Sequence, residues 1–249
     1  MQMKRTAFNR YNAGFMVNDN RRAKANKIMR VLNEAFGKRE PTVSKDTLLD
    51  IGTGNGEIAS YLSAVYEVTS VDITDQRKIK NGFKFVKLID TKLPFADQSF
   101  DIVISNHVIE HVKDAENHLS EIKRVLKDNG LVYLATPNRF WPWEVHNKIF
   151  FLHYLPKNTF NSVLRNFGRH HEDIFPLTWW ELRQRAKRHF SINVVSDRIC
   201  KWPSRYHMQC HPCLGKLLAL IPLNFYRILT FIHPTLIVVL KKSSDLSVR

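Results

Sequence analysis

The segment Leu48-Leu49-Asp50-Ile51-Gly52-Thr53-Gly54-Asn55-Gly56-Glu57-Ile58-Ala59 constrains the fold more than any other part of the chain. An apolar run stops at three alternate glycines and then resumes with a helical pattern. A strand that hands over to a helix in this way belongs to a βαβ architecture, in which the helix packs back onto a parallel sheet. Glycine allows positive φ and leaves room for a ligand where a Cβ would stand. A helix opening near Asn55 aims its first N–H groups at whatever lies above the turn. The sequence therefore predicts a nucleotide-type ligand over the carboxyl end of this strand.

The glycine spacing narrows the ligand. Gly52, Gly54 and Gly56 read G-x-G-x-G, whereas the dinucleotide fingerprint places its third glycine one position later, where this chain has Glu57. Asp50 would oppose a pyrophosphate and favour a cationic group. A second apolar run, Tyr66 to Val71, ends in Asp72, twenty residues beyond Gly52, where a carboxylate can accept ribose hydroxyls. That position suits a dinucleotide equally well.

The pattern Asp50-x-Gly52-x-Gly54-x-Gly56 resembles motif I of the class I S-adenosylmethionine-dependent methyltransferases. The stretch Ser99-Phe100-Asp101, an apolar strand, then Ser105-Asn106-His107-Val108-Ile109-Glu110-His111-Val112 is similar to the corresponding segment of the methyltransferase type 11 family. The resemblance covers residues 20–137 and implies S-adenosylmethionine as cofactor. It implies that Asp50, Gly52, Thr53, Gly54, Asn55 and Gly56 form the cofactor turn and that Asp72 and Ile73 hold the ribose side. Ile89, Asp90 and Thr91 would lie by the adenine, and Asn106, His107 and His111 beside the methyl-bearing sulfur. Asp90 stands three residues before Leu93, where many relatives place the acid four before. Thr136 to Glu144, with His146, resembles bacterial glycan-modifying members.

Strand-like runs at about 47–51, 67–71, 84–88, 101–105 and 130–136 alternate with helical segments at about 20–36, 55–64 and 116–127. This order predicts an α/β fold with a doubly wound, mostly parallel seven-stranded sheet. Phe190 to Ile199 and Pro234 to Lys241 supply strands six and seven as an antiparallel pair at one edge. One domain is expected over 1–249, with a cofactor core at 20–137, a substrate-covering segment at 138–190 and an apolar, basic insert at 200–233. Within the insert, Leu214 to Ile232 is strongly apolar but interrupted by Pro222 and Arg227, a poor candidate for a spanning helix, which needs roughly 20 continuous apolar residues. It predicts two short helices that lie in a membrane interface, close over an apolar substrate, pack on the sheet or form a dimer contact.

The net charge of +15 points to an anionic partner, whether a phosphorylated small molecule, an acidic lipid surface or nucleic acid. Nucleic acid ranks lower, because the apolar insert serves no purpose there and no N-P-P-Y-like motif is present. Three cysteines, Cys200, Cys210 and Cys213, fit a reducing cytoplasm, with peripheral contact on the inner membrane face as a further expectation. Cys210-x-x-Cys213 with His207 reads as loop cysteines rather than a metal site, and no metal is expected. The oligomeric state is not indicated.

Methyl transfer from a sulfonium is an in-line displacement, and a hydroxyl acceptor also needs a base. His107, His111, His146, His153, His170 and His171 are the candidates, with His146 first and His111 second as catalytic residues. The acceptor read from the sequence is a small or lipid-linked molecule, most simply a sugar or metabolite oxygen. Alternatives are a quinone or polyprenyl ring, RNA, or no acceptor at all in a protein that only binds the cofactor.

Overall fold

The computed structural model describes residues 21–37, 45–141 and 175–243. Strands β1 (Thr47–Ile51), β2 (Glu67–Asp72), β3 (Lys84–Lys87), β4 (Phe100–Asn106), β5 (Leu126–Pro137), β6 (Phe190–Val194) and β7 (Thr235–Lys242) form one sheet in the order β3-β2-β1-β4-β5-β7-β6. The first five are mutually parallel where they pair, and β7 runs antiparallel to both β5 and β6. Chain order reverses between β1 and β4. In open α/β sheets the crevice at such a reversal, outside the carboxyl ends of the strands, is where ligands bind.

Alternation along the strands sends side chains to two apolar layers. Leu49, Ile51, Val103, Val132, Leu134, Leu236 and Val238 enter one layer, covered by α3 (Ala115–Val125) and α4 (Trp179–Ala186). Leu48, Val68, Ile102, Ile104, Tyr133, Ile237 and Val239 enter the other, covered by α1 (Arg21–Phe36) and α2 (Glu57–Leu62). In α1 the buried residues Ala25, Ile28, Val31 and Leu32 follow the helical period, so this helix closes one face of the sheet. Asp114 caps α3 by accepting the Asn117 N–H, and Thr178 with Glu181 forms a capping box on α4.

Three boundaries differ from the sequence expectation. The helix expected at 55–64 starts only at Glu57, because Gly56 is held at φ 82 as its N-cap. Strand β5 starts at Leu126, earlier than expected, and a register shift between Phe100 and Ile102 absorbs the extra residues. The strand expected over Phe190 to Ile199 stops at Val194, and helix α5 (Ser196–Lys201) follows. Beyond Val194 the next apolar positions, Val195 and Ile199, are four apart and both buried, which a helix satisfies and a strand does not. The insert contains the two short helices read from the sequence, α6 (Pro212–Leu220) and α7 (Leu223–Ile228).

Candidate functional site

The glycine turn stands on the tip of β1, between β2 and β4. All three glycines hold positive φ, at 77, 55 and 82 for Gly52, Gly54 and Gly56. They are glycines for different reasons. A Cβ on Gly52 would collide with the Val108 side chain, and one on Gly56 with the Ile79 carbonyl, so both are required by packing. A Cβ on Gly54 would meet nothing within 4 Å. Gly54 therefore keeps its backbone face open to the crevice.

The N–H groups of the turn are mostly spent on the chain itself. Gly52 and Thr53 donate to the Val71 carbonyl, Gly56 to the Thr53 carbonyl, and Glu57 to the Asn55 side chain. Gly54 N–H donates to Asp72 Oδ2 at 3.0 Å, and Thr74 N–H to Asp72 Oδ1 at 3.3 Å. The turn is thus not a nest of free donors of the kind that cradles a pyrophosphate. It is a pre-set wall with a carboxylate at its lip. Asp72 is half-buried there, and Ile73 beside it is 65% exposed, an apolar surface next to the same crevice.

Asp50 lies beneath this wall, only 4% exposed. Its Oδ2 accepts hydrogen bonds from Thr53 Oγ1 at 3.1 Å and Ser70 Oγ at 3.5 Å, and the two hydroxyls also contact one another. Burial pushes the Asp50 carboxyl up to about 7, against the two hydroxyls and with the help of the Asp72 charge. Asn55 turns inward on the turn, its Nδ2 donating to Glu57 Oε1.

Beyond β3, where the sequence reading expects the adenine, Ile89 is fully exposed. Asp90 Oδ1 accepts the Lys92 N–H at 2.7 Å, an Asx turn that leaves Oδ2 outward, and Thr91 Oγ1 accepts from Asn117 Nδ2. These three exposed residues form a rim beyond β3, next to the Leu93-Pro94-Phe95 turn that Arg124 fixes by donating to the Leu93 and Phe95 carbonyls.

Across the crevice, β4 ends at Asn106, which is half-buried, and His107 follows at φ 60. A non-glycine residue in this region is uncommon and has to be held by its surroundings. Here the His107 N–H donates to the Ala135 carbonyl at 2.8 Å and its Nδ1 lies 3.2 Å from Glu110 Oε1. Glu110 is completely buried, and its second oxygen accepts from Thr136 Oγ1 at 2.9 Å. Burial alone would raise the Glu110 carboxyl; the His107 hydrogen bond and charge, with Thr136, outweigh it and hold the group below its ordinary value. An ionised carboxylate only accepts, so Nδ1 donates to it, and whenever the imidazole is neutral Nε2 is the acceptor. The His107 side chain is 35% exposed.

Other expected catalytic residues fall differently. His111 is exposed at the end of a 3-10 turn, past the Glu110 pair. His146, together with His153, His170 and His171, lies outside the described residues. The described chain on either side of that gap is anchored at the site: Asn138 bridges to Leu177, and Phe175 N–H donates to the Glu110 carbonyl at 2.6 Å. Glu110 and Thr136 carry no role in the sequence reading, although the His-x-x-Glu spacing in a tight turn is the signal that could have found them. Among the described residues no cluster of three metal-ligating side chains occurs, and Cys200, Cys210 and Cys213 are free thiols.

A family model described as a methyltransferase domain, type 11, matches residues 49–134, the span that contains the glycine turn, Asp72 and the His107 to Glu110 turn. Over that span the chain is similar to the methyltransferase domains that use S-adenosylmethionine. It is similar to a ubiquinone biosynthesis O-methyltransferase of Rickettsia conorii, 30% identical over 141 residues, covering 51% of this chain and 48% of the relative. It is also similar to a demethylmenaquinone methyltransferase of Chlorobaculum parvum, 32% identical over 108 residues, covering 41% of this chain and 43% of the relative. The chain thus spans about half the length of these curated relatives. A solved S-adenosylmethionine-dependent methyltransferase of Mesorhizobium loti superposes with a TM-score of 0.54 at 14% identity, over 82% of this chain and 94% of that one, and shares its fold.

Proposed function

We propose that the protein transfers a methyl group from S-adenosylmethionine to a hydroxyl oxygen on a small quinone-type ring, with His107 as the base. The observation that carries this reading is the His107–Glu110–Thr136 arrangement at the lip of the methyltransferase crevice. It is a histidine with one nitrogen spoken for by a buried carboxylate and the other left to accept a proton.

The residues present fit the cofactor. Gly54 offers an open backbone face, Asp72 offers a carboxylate for vicinal hydroxyls, and buried Asp50 offers a negative charge to a cationic head. When bound, S-adenosylmethionine supplies an electrophilic methyl carbon on a sulfonium. The chain's own residues do the rest. Glu110 fixes the tautomer and ring plane of His107, and His107 Nε2 takes the proton from the acceptor hydroxyl as it becomes a nucleophile. Positioned acid–base groups of this kind contribute about 10²–10⁴-fold.

A quinone-type ring is favoured over the sugar read from the sequence because matched relatives are named for ubiquinone and demethylmenaquinone, and a hydroxyl oxygen because the ubiquinone relatives are named O-methyltransferases. The test is transfer of labelled methyl from S-adenosylmethionine to parallel panels of dihydroxylated aromatic rings, glycans and RNA. Label on the rings alone supports the reading; label on glycans or RNA alone replaces the acceptor; cofactor binding with no label anywhere replaces the enzyme with a binding protein.

A further inference from the structure

Helices α6 and α7 form a bent hairpin on the outside of the molecule. No residue of α6 is buried, and Tyr226 is the one buried residue of α7. Leu217, Leu220, Phe225 and Ile228 are 61, 79, 52 and 70% exposed, and Ile232, just beyond, is 37% exposed. Half of the exposed large apolar side chains among the described residues therefore sit in one short stretch. Exposed patches of this kind mark a contact surface rather than a solvated one.

The charge around the patch selects the contact. From Arg198 to Ser243 the sequence has no aspartate or glutamate, and Lys216 and Arg227 lie on the hairpin with Arg198 and Arg205 beside it; Arg227 pairs with Asp197 at 3.3 Å and Arg205 with Glu34 at 3.0 Å, so two carboxylates offset part of this charge. Apolar side chains on a background with more cations than carboxylates match an anionic lipid surface, where the side chains enter the acyl boundary and the cations meet headgroups. Among the described residues no single helix is long and apolar enough to cross a membrane, and the two helices bend by 91° at their junction.

The hairpin is also built to lie against hydrocarbon. The carbonyls that a helix end leaves open are costly there, since no water can satisfy them. The Lys201 ammonium donates to the Ala219 carbonyl at 2.8 Å and to the Ile221 carbonyl, and Tyr226 Oη donates to the Leu218 carbonyl at 2.9 Å. The C-terminal carbonyls of α6 are thus satisfied by side chains from within the molecule, and the Lys201 charge sits at the negative end of the helix. Asn138, just past β5, donates to the Phe231 and His233 carbonyls at 2.8 and 2.9 Å, which fixes the hairpin to the crevice end of the sheet.

We propose that the apolar ridge of Leu217, Leu220, Phe225 and Ile228 docks on an anionic lipid bilayer as a peripheral, non-spanning contact. The assignment does not depend on the acceptor or on catalysis. The test is co-sedimentation of the full chain with vesicles of phosphatidylcholine alone and with 30% phosphatidylglycerol (~), at low and high salt. The wild type is expected to bind the anionic vesicles at least about tenfold more strongly, with binding reduced by salt and lost in a Leu220→Glu, Ile228→Glu variant. Retained S-adenosylhomocysteine affinity in that variant shows that it is folded. Equal binding by the variant overturns the proposal, as does failure of the wild type to bind either vesicle. A concentration-dependent dimer abolished by the same substitutions, without vesicle binding, reassigns the ridge to a second copy of the chain. Should the double variant lose cofactor affinity, Phe225→Ser alone gives the same readout.

Discussion

The Nδ1 atom of His107 lies 3.2 Å from Oε1 of Glu110, and this buried carboxylate orients the imidazole, which sets it apart for the proposed role of base. The pair is built by the main chain. His107 can reach Glu110 because its backbone is turned into the left-handed region and pinned to β5 through Ala135. Thr136, on the same strand, supplies the second donor that keeps Glu110 charged.

His107→Ala should lower kcat for methyl transfer to a ring hydroxyl by about 10²–10⁴-fold while S-adenosylhomocysteine affinity changes little. Glu110→Gln should lower it less and shift the pH profile, because the imidazole loses its fixed tautomer but keeps Nε2. Steady-state kinetics across pH, paired with calorimetric binding, separates the two. Unchanged kcat in His107→Ala would transfer the base role elsewhere, with His146 next in line.

Asp72→Ala should weaken S-adenosylhomocysteine binding by roughly 1.5–3 kcal/mol, the worth of hydrogen bonds to a charged acceptor. The substitution also releases the Gly54 N–H. Calorimetric titration reads the loss directly, and an unchanged affinity would place the ribose elsewhere.

Cofactor binding should be linked to protons through Asp50. Its carboxyl titrates at about 7 because it is buried. A cationic ligand above it favours the ionised form, so binding lowers that value and releases a proton near neutrality. Affinity should therefore rise between pH 6 and 8, approximately, and titrations in buffers of different ionisation enthalpy should show proton release. Asp50→Asn should remove both effects.

Acid stability follows from the same carboxyl and two histidines. Burial lowers both His118 and His233 to about 4, so from about 6.5 down to about 4 the unfolded chain binds two protons that the native state refuses. Over that window native Asp50 keeps one proton that the unfolded chain has lost. Folded values depressed for the histidines destabilise the native state as pH falls, and the raised Asp50 opposes them. From these three groups the net is one proton, a loss of about 1.4 kcal/mol per pH unit on acidification, rising to about 2.7 in Asp50→Asn, and the carboxylates held low, Glu110 among them, steepen the loss further toward pH 4, approximately. Denaturant midpoints measured at several pH values test both slopes.

The sheet was legible because its parallel strands are short apolar runs separated by helical segments, the first two ended by Gly52 and Asp72, and the cofactor turn because its three glycines stand in a single short segment. The edge was less legible. Phe190 to Ile199 reads as one apolar stretch, yet only pairing with β7 decides that the strand ends at Val194 and a helix begins. The proposed base was the least legible feature. Eleven histidines offer no ranking by type, and what distinguishes His107 is a left-handed backbone and a buried partner three residues on, both consequences of β4 and β5 lying side by side. Asp50 illustrates a different gap: the sequence puts a carboxylate before the turn, but its burial under Thr53 and Ser70, and hence its protonation, is a property of the packed sheet.

The central claim, that the Gly54 face of the crevice receives S-adenosylmethionine, is tested most directly by calorimetric titration with S-adenosylhomocysteine, with NADH in parallel, for the wild type and Gly54→Val. Because the space beside Gly54 is empty of protein, the added side chain should leave the fold intact apart from the strain of its positive φ and occupy only the ligand's place. The prediction is saturable one-to-one binding of S-adenosylhomocysteine to the wild type, none of NADH, and loss of binding in a folded Gly54→Val. Binding of NADH instead, or undiminished S-adenosylhomocysteine binding by the variant, would contradict it.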